Sequence, residues 1–96
     1  MSKKEVGIYR TLENQESLRD SILEFTETFK KNEEYSKNLS TCGQKKILKT
    51  LINNYKNEGE MYEGLREILE DVEEAERDEN FMNPAEFTRR ISSLQP

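Results

Sequence analysis

The sequence predicts an all-α protein: an antiparallel hairpin of long, coiled-coil-like helices with a short C-terminal helix, or a three-helix bundle if the second long helix breaks. Three observations carry this. Leu48, Leu51, Tyr55, Tyr62, Leu65, Leu69 and Val72 keep one heptad phase, in three- and four-residue steps apart from the full heptad between Tyr55 and Tyr62, the spacing of a helical seam. A shorter stripe of the same kind runs through Leu18, Ile22, Phe25 and Phe29. No glycine or proline interrupts the chain between Ile8 and Gly43.

The first helix is expected over residues 8–36, after a frayed start at 1–7, with Ile8, Leu12, Leu18, Ile22, Phe25 and Phe29 on its apolar face. Gln15 interrupts that face. Asn38 to Gly43 is the first punctuation, and Thr41-Cys42-Gly43-Gln44 has capping-box form, with a hydroxyl for the third amide and a glutamine to reach back. The second helix follows over 42–78. Ile47, Met61, Ile68 and Ala75 sit one position before the seam and widen it. Gly59 and Gly64 each cost a helix about 1 kcal/mol relative to alanine, so 57–59 is where this helix bends or breaks. Unbroken phase favours one continuous helix of roughly 50 Å. Beyond it, Asn83-Pro84-Ala85-Glu86 is a start signal, with Asn83 as cap and Pro84 where no N–H is needed. Met82 and Phe87 fall at staple positions, and Phe87, Ile91 and Leu94 share one face of a short helix over 84–94. The whole, residues 1–96, reads as a single helical domain.

Composition narrows the class of function. Leu, Ile, Val and Phe make up 21 of 96 residues, 36% of residues are charged, and mean hydropathy is −1.02. Such a chain supports a narrow seam between helices better than a core deep enough to surround an active site. A net charge of −5 argues against direct nucleic-acid binding, which draws on basic residues to displace counterions. Cys42 is the single cysteine, so no intrachain disulfide forms. No apolar run approaches membrane-spanning length and none follows the N-terminus as a leader. Membrane insertion is therefore not expected, and the expected location is a reducing, cytoplasmic compartment.

No residue set supports catalysis. Histidine is absent, so Cys42 has no imidazole partner and a carboxylate–histidine di-iron site cannot be built. The acidic run over 67–79 lacks the glycine turn and alternating oxygens of a calcium loop, and reads as a solvated face. The expectation is a non-enzyme without cofactor or metal: an adaptor, or a small subunit of a larger assembly. Its expected contact surface is the stripe Ile47, Tyr55, Met61, Tyr62 and Ile68 with the C-terminal face Phe87, Ile91 and Leu94. The same tyrosines and apolar positions also serve as plain core. The seams can close within one chain or between two, so self-association is possible. The alternative is an acidic inhibitor or mimic that enters a basic groove through residues 67–79.

One segment carries a family resemblance. Tyr62-Glu63-Gly64-Leu65-Arg66-Glu67-Ile68-Leu69, preceded by Glu58-Gly59, resembles the late helical part of the V-domain arm of Alix-type scaffolds, which serve the ESCRT membrane-remodelling system. Leu12-Glu13-Asn14-Gln15-Glu16-Ser17-Leu18, with the stretch on to Phe29, is similar to an earlier helix of that arm. The similarity spans about residues 12–75, with a shorter connection between its parts. It implies a groove for a tyrosine-containing peptide, at Met61 and Ile68, and ubiquitin as a further partner. This chain has methionine at the first groove position, where the family commonly has phenylalanine, and one residue fewer between Gly59 and Tyr62.

Overall fold

A computed structural model describes residues 9–56 and 59–94. Among them the chain is all-helical. A first helical segment, α1, covers residues 9–13. It is followed by α2 (Leu18–Lys31), α3 (Glu33–Lys37), α4 (Thr41–Asn54), α5 (Gly59–Arg77) and α6 (Pro84–Ser92). The expected frayed start at 1–7 lies outside the described residues.

Neither long helix is continuous. The segment expected as one helix over 8–36 breaks twice. Ser17 leaves helical geometry and accepts from the Asp20 amide through its hydroxyl, so it starts a new helix. Asn32, at φ −124° and ψ 71°, separates α2 from α3. The segment expected over 42–78 is two helices. Tyr55 leaves the helix at φ −130° and ψ 52°, and α5 opens at Gly59 with φ +73°. That φ suits glycine because it has no Cβ to clash. Part of the 57–59 turn lies outside the described residues. Heptad phase could not report this break, because two shorter helices place the same side chains in the same core. The molecule measures 35 × 28 × 22 Å, too short for the 50 Å helix that continuity implies.

α4 packs most extensively on α5, while α2 and α3 pack on α6. α4 and its cap contribute Ile47, Leu48, Leu51 and Tyr55 to the buried core, and α5 contributes Leu65, Ile68 and Val72. Ile47 and Ile68, read from the sequence as widening positions, are therefore full core members. Leu69, read as seam, is only half-buried.

Aromatic rings join the other elements. Phe25 stacks on Phe29 at 4.2 Å between centroids and meets Phe87 of α6 edge-on at 6.2 Å. Phe29 meets Tyr35 of α3 edge-on at 5.3 Å. Offset and edge-on pairs of this kind add about 0.5–1.5 kcal/mol each beyond the area they bury. At the rim of the same contact, Thr26 and Ser92 share a hydroxyl–hydroxyl bond of 2.9 Å. Two ion pairs tie α5 to its neighbours: Lys45 Nζ to Glu76 Oε1 at 2.9 Å, and Arg90 Nη1 to Asp71 Oδ2 at 2.7 Å.

Candidate functional site

Most of the surface expected to meet a partner lies in the core. Ile47, Tyr55, Ile68, Phe87 and Ile91 are buried, none more than 6% exposed. Met61, Tyr62 and Leu94 are half-buried and pack against that core. Leu94 lies over α5 at Gly64, where a Cβ would come within 2.4 Å of its Cδ2. Of the two groove positions implied by the resemblance, Ile68 is enclosed and Met61 is partly so. They belong to one core with Leu12, Leu18, Ile22, Phe25, Phe29, Leu48, Leu51, Leu65 and Val72, because short helices in so polar a chain spend nearly all their large apolar side chains on closing it.

What remains open is a cleft where two links meet. One wall is Leu39, Ser40, Thr41 and Cys42, at the start of α4; the other is Phe81, Met82, Asn83 and Pro84, ahead of α6. The cleft is wide open to solvent, with a volume of about 650 Å³. Phe81 is 59% exposed, the most exposed large apolar side chain among the described residues. Cys42 is also exposed, while Leu39 is buried beneath and Met82 and Pro84 are half-buried.

Local chemistry fixes both walls. The α4 cap is Ser40 rather than Thr41: its Oγ accepts from the Gly43 amide at 3.2 Å. Shifting the cap by one residue frees Gln44 from the role of reaching back. Its side chain turns inward instead, 1% exposed. Its Nε2 donates to the Met82 carbonyl at 3.1 Å and to the Leu39 carbonyl at 3.5 Å, which ties one wall to the other. Gln44 Oε1 is buried without a hydrogen-bond partner among the described residues. On the second wall, Asn83 caps α6 as the sequence predicts, its Oδ1 accepting from the Ala85 amide at 2.8 Å.

The link that carries Phe81 is held in an unfavourable geometry. α5 closes with Asn80 N–H donating to the Ala75 carbonyl at 2.9 Å and Glu79 N–H to Glu76 at 3.2 Å. This closure needs a left-handed residue, a place usually taken by glycine. Here it is Glu79, at φ +56°. A side chain in that region costs about 1 kcal/mol or more, and such strain gathers where a segment must be held in one particular shape.

Sequence reasoning missed Phe81 because it belongs to no helical face. The available signal was that isolation: a phenylalanine between the acidic end of one helix and the cap of the next, with no seam to join.

A second surface is charged. Glu63, Glu67 and Glu70 are exposed along α5 and line a shallow groove with Glu73, Leu69 and Arg66. Among the described residues no cluster of metal-binding side chains occurs, and no helix is long and apolar enough to cross a membrane. Lys45 has its pKa raised above the ordinary 10.5, chiefly by the hydrogen bond to Glu76; burial opposes this, and the charges of Glu76 and Glu73 add to the rise.

Comparison with protein-family models, with curated proteins and with solved structures finds no match to this chain.

Proposed function

We propose that this chain is a non-enzymatic helical interaction module, an adaptor or small subunit, and that its contact surface is the cleft around Phe81. The observation that carries the reading is Phe81 itself. A phenylalanine left 59% exposed beside an apolar cleft is an anchor waiting for a complementary surface. Large aromatics at the centre of such patches supply much of the binding free energy in protein interfaces. The left-handed Glu79 two residues earlier supports it, since it holds the link in one shape at a cost to stability.

The test is co-purification of the tagged chain at moderate salt, wild type beside Phe81→Ser. A protein recovered in fixed proportion with the wild type and lost with the folded variant supports the reading. Equal recovery with both rejects the Phe81 cleft as the surface. The identity of what is recovered also bears on the resemblance: ubiquitin or ESCRT components support an Alix-type role, and an unrelated assembly counts against it.

One observation favours a second reading, an acidic mimic. The glutamates lining the α5 groove, Glu63, Glu67, Glu70 and Glu73, outnumber the one cation of that lining, Arg66. Such a surface binds a basic groove with an affinity that falls steeply as salt rises. Reversing Glu67 and Glu70 to lysine should then abolish binding, whereas in the leading reading it leaves binding intact.

A further inference from the structure

Several local weaknesses converge on the short link that carries Phe81. We infer that residues 79–82 form a gate on the cleft: they swing away from α4 as a unit while α5 and α6 stay docked, and the Gln44 side chain is the latch that holds them shut. The use of this opening to a partner rests on the reading of the cleft as the contact surface; the opening itself does not.

Both ends of the link are fixed independently of it. α5 is seated by Val72 and α6 by Phe87 and Ile91, all fully buried. Arg90 Nη1 meets Asp71 Oδ2 at 2.7 Å, which ties α6 to α5 directly. The start of α6 is self-contained: Asn83 Oδ1 accepts from the Ala85 amide, and the Asn83 carbonyl accepts from the Phe87 amide at 2.9 Å. The link can therefore move without undoing either helix beyond the last turn of α5.

Between those ends little holds it. Glu79, Asn80 and Phe81 are exposed, and only Met82 is half-buried. Among the described residues, neither the Phe81 nor the Met82 amide donates to a backbone carbonyl. The bond that reaches the link from α4 is Gln44 Nε2 to the Met82 carbonyl, at 3.1 Å.

The closed position also carries costs that opening removes. Glu79 is held at φ +56°, and a freed helix end lets it return to ordinary backbone geometry. Gln44 Oε1 is buried without a hydrogen-bond partner among the described residues. An amide oxygen kept from water in this way favours any state that hydrates it. Phe81, 59% exposed, gains little from closure. Against these stand one hydrogen bond and the partial burial of Met82. The amide bonds of Glu79 and Asn80 lie at exposed residues, where water replaces them. Opening therefore lies below global unfolding, among the local openings that expose little surface. It moves one wall of the cleft and uncovers the Gln44 amide, a donor and an acceptor, beside Phe81.

The test is native-state proteolysis of the full chain with chymotrypsin, following cleavage of the Phe81–Met82 bond by mass across a range of low urea concentrations. Rates are normalised to the same bond in each urea-unfolded chain. Wild type should be cut at a rate nearly independent of urea, because a local opening exposes little surface. Glu79→Gly removes the strain of the closed state and should slow cleavage about fivefold. Gln44→Glu replaces the donor with a carboxylate facing the Met82 carbonyl and should speed cleavage at least about tenfold, with the helical spectrum retained. If that variant unfolds, Glu79→Gly decides alone. A wild-type rate that rises with the full urea slope of global unfolding overturns the inference. So does Glu79→Gly protein cut as fast as wild type, since cleavage would then need no opening. The assay contains no partner, so a working gate with no Phe81-dependent capture from extract rejects the interaction reading alone, and capture without a gate rejects this inference alone.

Discussion

The Tyr55 hydroxyl donates to the carbonyl oxygen of Leu12, across 43 positions of sequence. The Tyr55 phenol oxygen in turn accepts from the Gln15 amide at 3.1 Å. One phenol thus satisfies backbone groups released where α1 ends, and it joins the close of α4 to the break that precedes α2. A tyrosine at a seam position is doing the work of a cap for a distant helix.

Tyr55→Phe keeps the ring and removes that oxygen. The Gln15 amide then loses its partner, while the Leu12 carbonyl keeps the Ser21 hydroxyl at 2.9 Å. We expect a loss of about 1–2 kcal/mol, measured by urea unfolding. An unchanged midpoint would show that the phenol contributes nothing to joining these segments.

Core and surface should separate cleanly under substitution. Ile68→Asp buries a charge where the side chain is 2% exposed. Uncompensated buried charge costs several kcal/mol, enough to unfold a small domain, so the helical circular-dichroism signal should collapse. Phe81→Ser should change unfolding stability by no more than about 0.5 kcal/mol, as expected for an exposed position. A folded Ile68→Asp protein would mean that α4 and α5 do not close on each other as described.

Much of the helical content was legible in the sequence, because apolar spacing and caps are local. The α6 start at Asn83-Pro84 is the clearest case, since a cap and a ring-fixed φ need no tertiary partner. Continuity was not legible. The heptad phase through Tyr55 and Leu65 is the same for one bent helix and for two helices sharing a core. Gln15 and Ser17 break the first helix by means that depend on a distant phenol and a local cap, and only the cap is written nearby. The site was less legible still. The eight residues expected to form a partner surface are the apolar ones, and in a chain this polar those are consumed by the core. Phe81, outside every period, was the residue left over.

Glu79→Gly should stabilise the protein. It relieves the left-handed φ of +56° and removes a negative charge near the C-terminal end of α5, where the helix dipole disfavours it. The gain should be about 1 kcal/mol, read as a higher unfolding midpoint. If the strain serves the cleft, the same variant should associate less well. A loss of stability would show that the Glu79 side chain makes a compensating contact.

The Lys45–Glu76 pair predicts behaviour at alkaline pH. The lysine pKa is raised in the folded state, so its contribution is fully present below the unfolded value of 10.5. It fades as pH rises through the higher folded value. The stability difference between wild type and Lys45→Met should therefore hold steady from neutral pH to about 10 and shrink above it. A difference that grows with alkaline pH would contradict the pairing.

On the proposed function the Phe81 cleft is covered when the protein is at work, and Cys42 reports on it directly. It is the only thiol in the chain and it lines the cleft. The measurement is its rate of maleimide labelling, in the protein's own cell extract and after purification and dilution. Labelling should be slow in extract, fast on dilution, and fast for Phe81→Ser in both. Equal rates for wild type in extract and in dilute solution would contradict it.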